Sequence, residues 1–148
     1  MAAPNFGSPG RSIAIGFVAG AVSALTFHAF AWWVFYMLGM QRIPPYPMFA
    51  NAFYVPLIIS LAFWAGVWGI VAALWAPRTT QPFWAVCLIV SVAASVVQAF
   101  VLPPLRGFAI NWDIIAILRA FIINGVWGIG VAIIASAIAS FAAQRSTA

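Results

Sequence analysis

Hydrophobic residues fall into four long runs along the chain, 12–39, 52–76, 82–102 and 113–142, separated by segments that punctuate a helix. Arg42-Ile43-Pro44-Pro45-Tyr46-Pro47, Pro77-Arg78-Thr79-Thr80-Gln81-Pro82 and Pro103-Pro104-Leu105-Arg106-Gly107 each combine proline with charge, glycine or hydroxyls, and predict helix ends. Each run reaches the ~20 residues that carry a helix across a bilayer core. The pattern predicts an all-α integral membrane protein, a bundle of four transmembrane helices. It divides into a flexible tail (1–11), a first transmembrane hairpin (12–76), a short turn (77–81), a second hairpin (82–142) and a C-terminal tail (143–148). The first and fourth runs exceed the hydrocarbon thickness, which predicts tilt or projection beyond the membrane.

Composition narrows this further: of 148 residues, 66% are hydrophobic and 5% charged, against about 25% charged in soluble domains. That excludes a soluble monomer. Mean hydropathy is +1.11 and the pI about 10.8, yet the six basic residues are isolated arginines: Arg11, Arg42, Arg78, Arg106, Arg119 and Arg145. A nucleic-acid partner needs a concentrated basic stripe, so none is expected, and the surrounding partner is the lipid bilayer. The single cysteine, Cys87, excludes an intrachain disulfide and a CxxC pair. Ala29-Phe30-Ala31 has the small-x-small form of a signal cleavage site, but the apolar run continues through Met37, which predicts a retained first span.

Arg11, Arg78 and Arg145 fall on one side of four alternating spans, against Arg42 and Arg106, with Arg119 just below that second surface. The short flanking segments carrying Arg78 and Arg145 favour cytoplasmic termini. Tyr46, Phe49, Phe53, Tyr54, Phe108 and Trp112 then form an aromatic rim on the opposite face, the usual interfacial anchor.

The pentapeptide Gly66-Val67-Trp68-Gly69-Ile70 recurs unchanged as Gly125-Val126-Trp127-Gly128-Ile129, and 21–30 aligns faintly with 91–100. The two hairpins read as duplicated, parallel halves related by an axis along the membrane normal. Glycine beside tryptophan gives a helix a notch next to a large ring, so Gly66, Trp68, Gly69, Gly125, Trp127 and Gly128 are expected at helix crossings. Gly16 and Gly20 provide a matching small-residue face on the first span.

Ala24-Leu25-Thr26-Phe27-His28, Ser60-Leu61-Ala62-Phe63-Trp64 leading into Trp68-Gly69, and Asn124-Gly125-Val126-Trp127-Gly128 resemble a family of small four-span bacterial inner-membrane proteins with Trp-Gly cores. The residues after His28 depart from the more polar pattern of that family. The resemblance implies an inner-membrane location and a four-span fold, and implies no activity.

Four polar residues fall within the same half of the membrane: His28, Gln98, Asn124 and Arg119. One reading makes them structural: His28, Gln98 and Asn124 bond across helices while Arg119 reaches the headgroups. A second makes them a polar pocket, with His28 titrating or ligating and Arg119 attracting an anion. A third uses Ala24-x-x-x-His28, which looks like the macrocycle site of bacterial light-harvesting polypeptides. Haem or bacteriochlorophyll on His28 is the cofactor of this reading, otherwise none is expected. Asn111 is expected to cap the fourth helix, with Asp113 in its first turn and within reach of Arg106. One acid and one distant histidine do not make a catalytic dyad or triad.

Together these features favour a non-enzymatic inner-membrane protein, an accessory, assembly or structural subunit associating with other transmembrane helices, as a homo-oligomer or in a larger complex. The alternatives are a small transporter or channel with a route near His28, Gln98, Asn124 and Arg119, and a pigment- or haem-binding subunit through His28.

Overall fold

The computed structural model describes residues 4, 6–45 and 56–145, the side chains of 143 and 145 excepted. The chain is a multi-pass membrane protein, an all-α bundle of four helices long and apolar enough to span a bilayer: Pro9–Met37, Leu57–Arg78, Phe83–Leu105 and Ile114–Ala142, called here spans 1 to 4. Span 4 continues helically to Arg145. Tyr46, Phe49, Phe53 and Tyr54 lie outside the described residues.

The helix boundaries follow from local chemistry, in three places differently from the sequence pattern. Within the expected flexible tail, 1–11, residues 6–11 in fact contribute to the fold. Ser8 caps span 1 by accepting from the Arg11 amide at 3.3 Å, Pro9 starts the helix in the position its missing N–H suits, and Phe6 is buried edge-on against Phe83, ring centroids 5.6 Å apart. Pro103-Pro104, expected to break span 3, instead lies within its last helical turn. A π-helical turn at Val97–Val101 precedes the prolines, with the Leu102 amide bonded to the Val97 carbonyl. A regular α turn would press the proline rings against carbonyls four residues back, and the wider turn relieves that clash. The helix ends instead at Gly107 (φ 77°), where Phe108 N donates to Pro103 O and Gly107 N to Pro104 O. This glycine-centred stop recurs at Gly39 (φ 71°), with Met40 N on Phe35 O and Gly39 N on Tyr36 O. Finally, Asp113 itself is the cap of span 4. Its Oδ1 accepts from Ile115 N at 2.9 Å, while Asn111 Oδ1 accepts from Asp113 N at 3.0 Å in the turn just before. No ion pair joins Asp113 to Arg106 among the described residues.

Span 1 is the centre of the bundle: it packs on span 2 and on span 4, span 3 packs on span 4, and spans 2 and 3 touch more lightly. Its contact with span 2 is backbone on backbone. A Cβ on Gly16 would lie 2.6 Å from the Gly69 carbonyl oxygen and 2.8 Å from Ala73 Cβ, and one on Gly20 would overlap the Ala65 carbonyl. Only glycine permits that approach. The buried core, which includes Ala19, Ala72, Val86, Val90, Trp127 and Val131, occupies the half of the bundle nearer the termini and the Ala76–Pro82 turn. Towards the other end the spans separate: Met37, Leu105, Trp112 and Ile114 are all more than 60% exposed.

The duplicated pentapeptides are used unequally. A Cβ on Gly66 would lie 2.6 Å from the Phe17 ring, one on Gly69 would overlap the Gly16 carbonyl and one on Gly128 would lie 2.9 Å from the Cys87 carbonyl, but no described atom lies within 4 Å of a Cβ placed on Gly125. The expectation of a crossing at Gly125 is therefore corrected: no described atom closes on that glycine itself, although Ile123 beside it is buried and Asn124 is bonded to Gln98 of span 3. Gly69→Ala is expected to destabilise the protein by about 1–3 kcal/mol through overpacking, and Gly125→Ala to leave it unchanged or up to ~1 kcal/mol more stable through helix propensity. Unfolding in detergent micelles checks the ranking.

Candidate functional site

Two hydrogen bonds fasten span 4 to span 1. The Trp127 indole Nε1 donates to Gly20 O at 2.9 Å, and Ser23 Oγ donates to Trp127 O at 2.7 Å, both buried. Gly130, one turn further along span 4, lies against Ser23 Oγ and the Phe27 ring, the latter 2.5 Å from where its Cβ would be. Ser23 and Gly130 were missed from the sequence. Their only signal was Ser23 standing next to the Gly16-x-x-x-Gly20-x-x-x-Ala24 row, on the same side of the helix.

Immediately after this junction, span 1 takes a π-helical turn at Ala24–His28, with the Ala29 amide on the Ala24 carbonyl. A π turn inserts one residue and rotates the remainder of its helix, and such turns recur at functional sites. Thr26 Oγ1 returns to Val22 O at 2.8 Å. His28 closes the turn at 6% exposure, its Nδ1 buried without a hydrogen-bond partner and its ring 5.9 Å from that of Trp32. The second π turn, in span 3, carries Gln98, whose Oε1 accepts from Asn124 Nδ2 at 3.3 Å. The same Asn124 nitrogen donates to Ala120 O at 3.0 Å.

The four polar candidates thus do not form one cluster. Gln98 and Asn124 are joined. Arg119 donates instead to the carbonyl of Met40, at the end of span 1, and Trp32 Nε1 donates to Ile43 O at 3.1 Å, so two side chains hold the start of the loop after Gly39 against the bundle. The buried Nδ1 of His28 bonds to none of the other three. The reason is rotational: Gln98 and Asn124 face each other across spans 3 and 4, whereas His28 is turned into the core.

Of the packing candidates, Gly16, Gly20, Gly66, Gly69 and Gly128 lie at helix crossings and Trp127 is buried, while Trp68 is half-buried at the core's edge. Ala24 and His28 are 1% and 6% exposed. The π turn between them replaces the regular one-turn spacing of the Ala-x-x-x-His pattern. An open groove of about 420 Å³ runs between spans 1 and 2, lined by Phe17, Ala21, Leu25, Ile58, Ile59, Ala62 and Phe63. Its lining is hydrocarbon throughout, suited to a lipid chain and offering nothing to a polar substrate. Phe108 and Trp112 of the expected rim are exposed, with Trp112 5.7 Å from Phe100.

No protein-family model matches the chain, and no curated protein or solved structure shows significant similarity to it.

An unpartnered buried polar atom costs about 1–3 kcal/mol. His28→Phe, which keeps an aromatic ring beside Trp32, is therefore expected to raise stability by about 1 kcal/mol in thermal or denaturant unfolding. A loss of stability would show that Nδ1 has a partner in the folded protein.

Proposed function

We propose that this chain is a non-enzymatic membrane subunit that works by associating with other transmembrane helices, in a bacterial inner membrane with both termini cytoplasmic. The observation that supports this reading is the filled half of the bundle. Ala19, Ala72, Val86, Val90, Trp127 and Val131 meet there from all four spans, at the close packing that seals protein interiors. A solute crossing through a single copy would have to open that core and break the Trp127 junction. The polar side chains are tied locally, Arg119 to a loop carbonyl and Asn124 to Gln98, as expected of groups that hold helices and loops in place. The long, separated ends of the spans leave extensive apolar surface for helix contacts within the membrane.

The transport reading keeps one specific observation in its favour, the buried, unpartnered Nδ1 of His28 at a π turn. A flux assay separates the two. Proteoliposomes loaded with the purified chain are expected to release protons, monovalent ions and small anions no faster than empty vesicles. Flux that disappears in His28→Ala and Arg119→Ala variants of intact fold would overturn the proposal.

A further inference from the structure

We propose that spans 3 and 4 dock against a second copy of this chain through the Gln98–Asn124 amides and the open notch at Gly125. The inference rests on the association reading above and names the partner. Gln98 lies seven residues before the end of span 3 and Asn124 ten residues after the start of span 4. At ~1.5 Å per residue both are roughly 10–15 Å inside the bundle's loop end, within a hydrocarbon layer about 30 Å thick. Asn124 Nδ2 is used twice, on Gln98 Oε1 and Ala120 O. That leaves the Asn124 Oδ1 acceptor and the Gln98 Nε2 donors, with Gln98 exposed. Polar groups left without partners in hydrocarbon are costly, and amides there drive helix association.

The leftover groups are self-complementary. Across a twofold axis, Gln98 Nε2 of each copy meets Asn124 Oδ1 of the other, so one contact made twice satisfies both with no different partner sequence. Gly125, the residue after Asn124, makes close approach possible. No described atom lies within 4 Å of a Cβ built there, and Ile122 and Ile129, one turn to either side, are 53% and 47% exposed. Its counterpart in the first hairpin, Gly66, is covered by Phe17; the second hairpin leaves the same notch uncovered beside the amides.

The test is disulfide trapping in native membranes, in a Cys87→Ala background carrying Ile122→Cys or Ile129→Cys. Mild oxidation is expected to give a covalent product whose peptides come from this chain alone, at twice its mass. Trp64→Cys on span 2, also exposed, stays monomeric. Gly125→Leu, whose Cβ meets no described atom within 4 Å, and the Gln98→Leu/Asn124→Leu double variant each reduce the product about tenfold, the scale of two lost interhelical hydrogen bonds, with the unfolding transition of the Gly125→Leu monomer not lowered. A monomer at every position, or a homodimer indifferent to Gly125→Leu, overturns the proposal. An adduct to a different protein at Ile122 also overturns it while leaving the association reading standing. A chain that is monomeric and conducts in proteoliposomes removes both.

Discussion

The bundle depends on one junction, where the Trp127 indole donates to the Gly20 carbonyl and the Trp127 carbonyl accepts from Ser23. In a bilayer, helices gain nothing from leaving water, and they stay together through close packing and a small number of hydrogen bonds. Gly20 serves both. One side of it abuts the backbone of span 2 at Ala65 and Gly66, and its carbonyl receives Trp127 from span 4. A side chain at position 20 would force span 2 away. The central place of span 1 thus follows from glycine where two neighbours need to come close, and from a hydroxyl and an indole where the third contact needs direction.

On either side of this junction the protein has different character. Towards the termini the spans interlock through Ala, Gly, Val and Ser, and Phe6 and Phe83 close the end. Towards the loops they separate, and both π turns, Ala24–His28 and Val97–Val101, fall near the change. Each turn rotates the remainder of its helix, one bringing His28 inward and the other presenting Gln98 to Asn124. The closed half gives the structure its stability, and the open half carries the groups on which association is proposed.

Much of the architecture was legible in the residues. Four apolar runs of membrane length and three proline-bearing separators are enough to define four spans, because in hydrocarbon the backbone has to satisfy its own hydrogen bonds. What stayed hidden was local competition and long-range rotation. Pro103-Pro104 reads as a break, since a regular helix cannot hold it, and the π turn that accommodates it has no sequence signature of its own. Asn111 and Asp113 are both good caps, and their order is decided by which side chain reaches the amide of Ile115. The identical pentapeptides suggest identical roles, but a Cβ on Gly66 would meet Phe17 and one on Gly125 no described atom, because each glycine's role depends on the helix opposite. The convergence of His28 with Gln98, Asn124 and Arg119 was inferred from depth alone. Depth says nothing about the direction in which a side chain leaves its helix, and the π turn changed that direction for His28.

The most direct test of this account is a double-mutant cycle between Ser23→Ala and Trp127→Phe, read as reversible unfolding in bilayers or bicelles. If the two bonds form one junction, each single variant costs roughly 1 kcal/mol, and the pair costs less than their sum by at least ~0.5 kcal/mol, because the first loss already loosens span 4. Strictly additive effects, or singles that leave stability unchanged, would contradict it and move the organising contact elsewhere in the bundle.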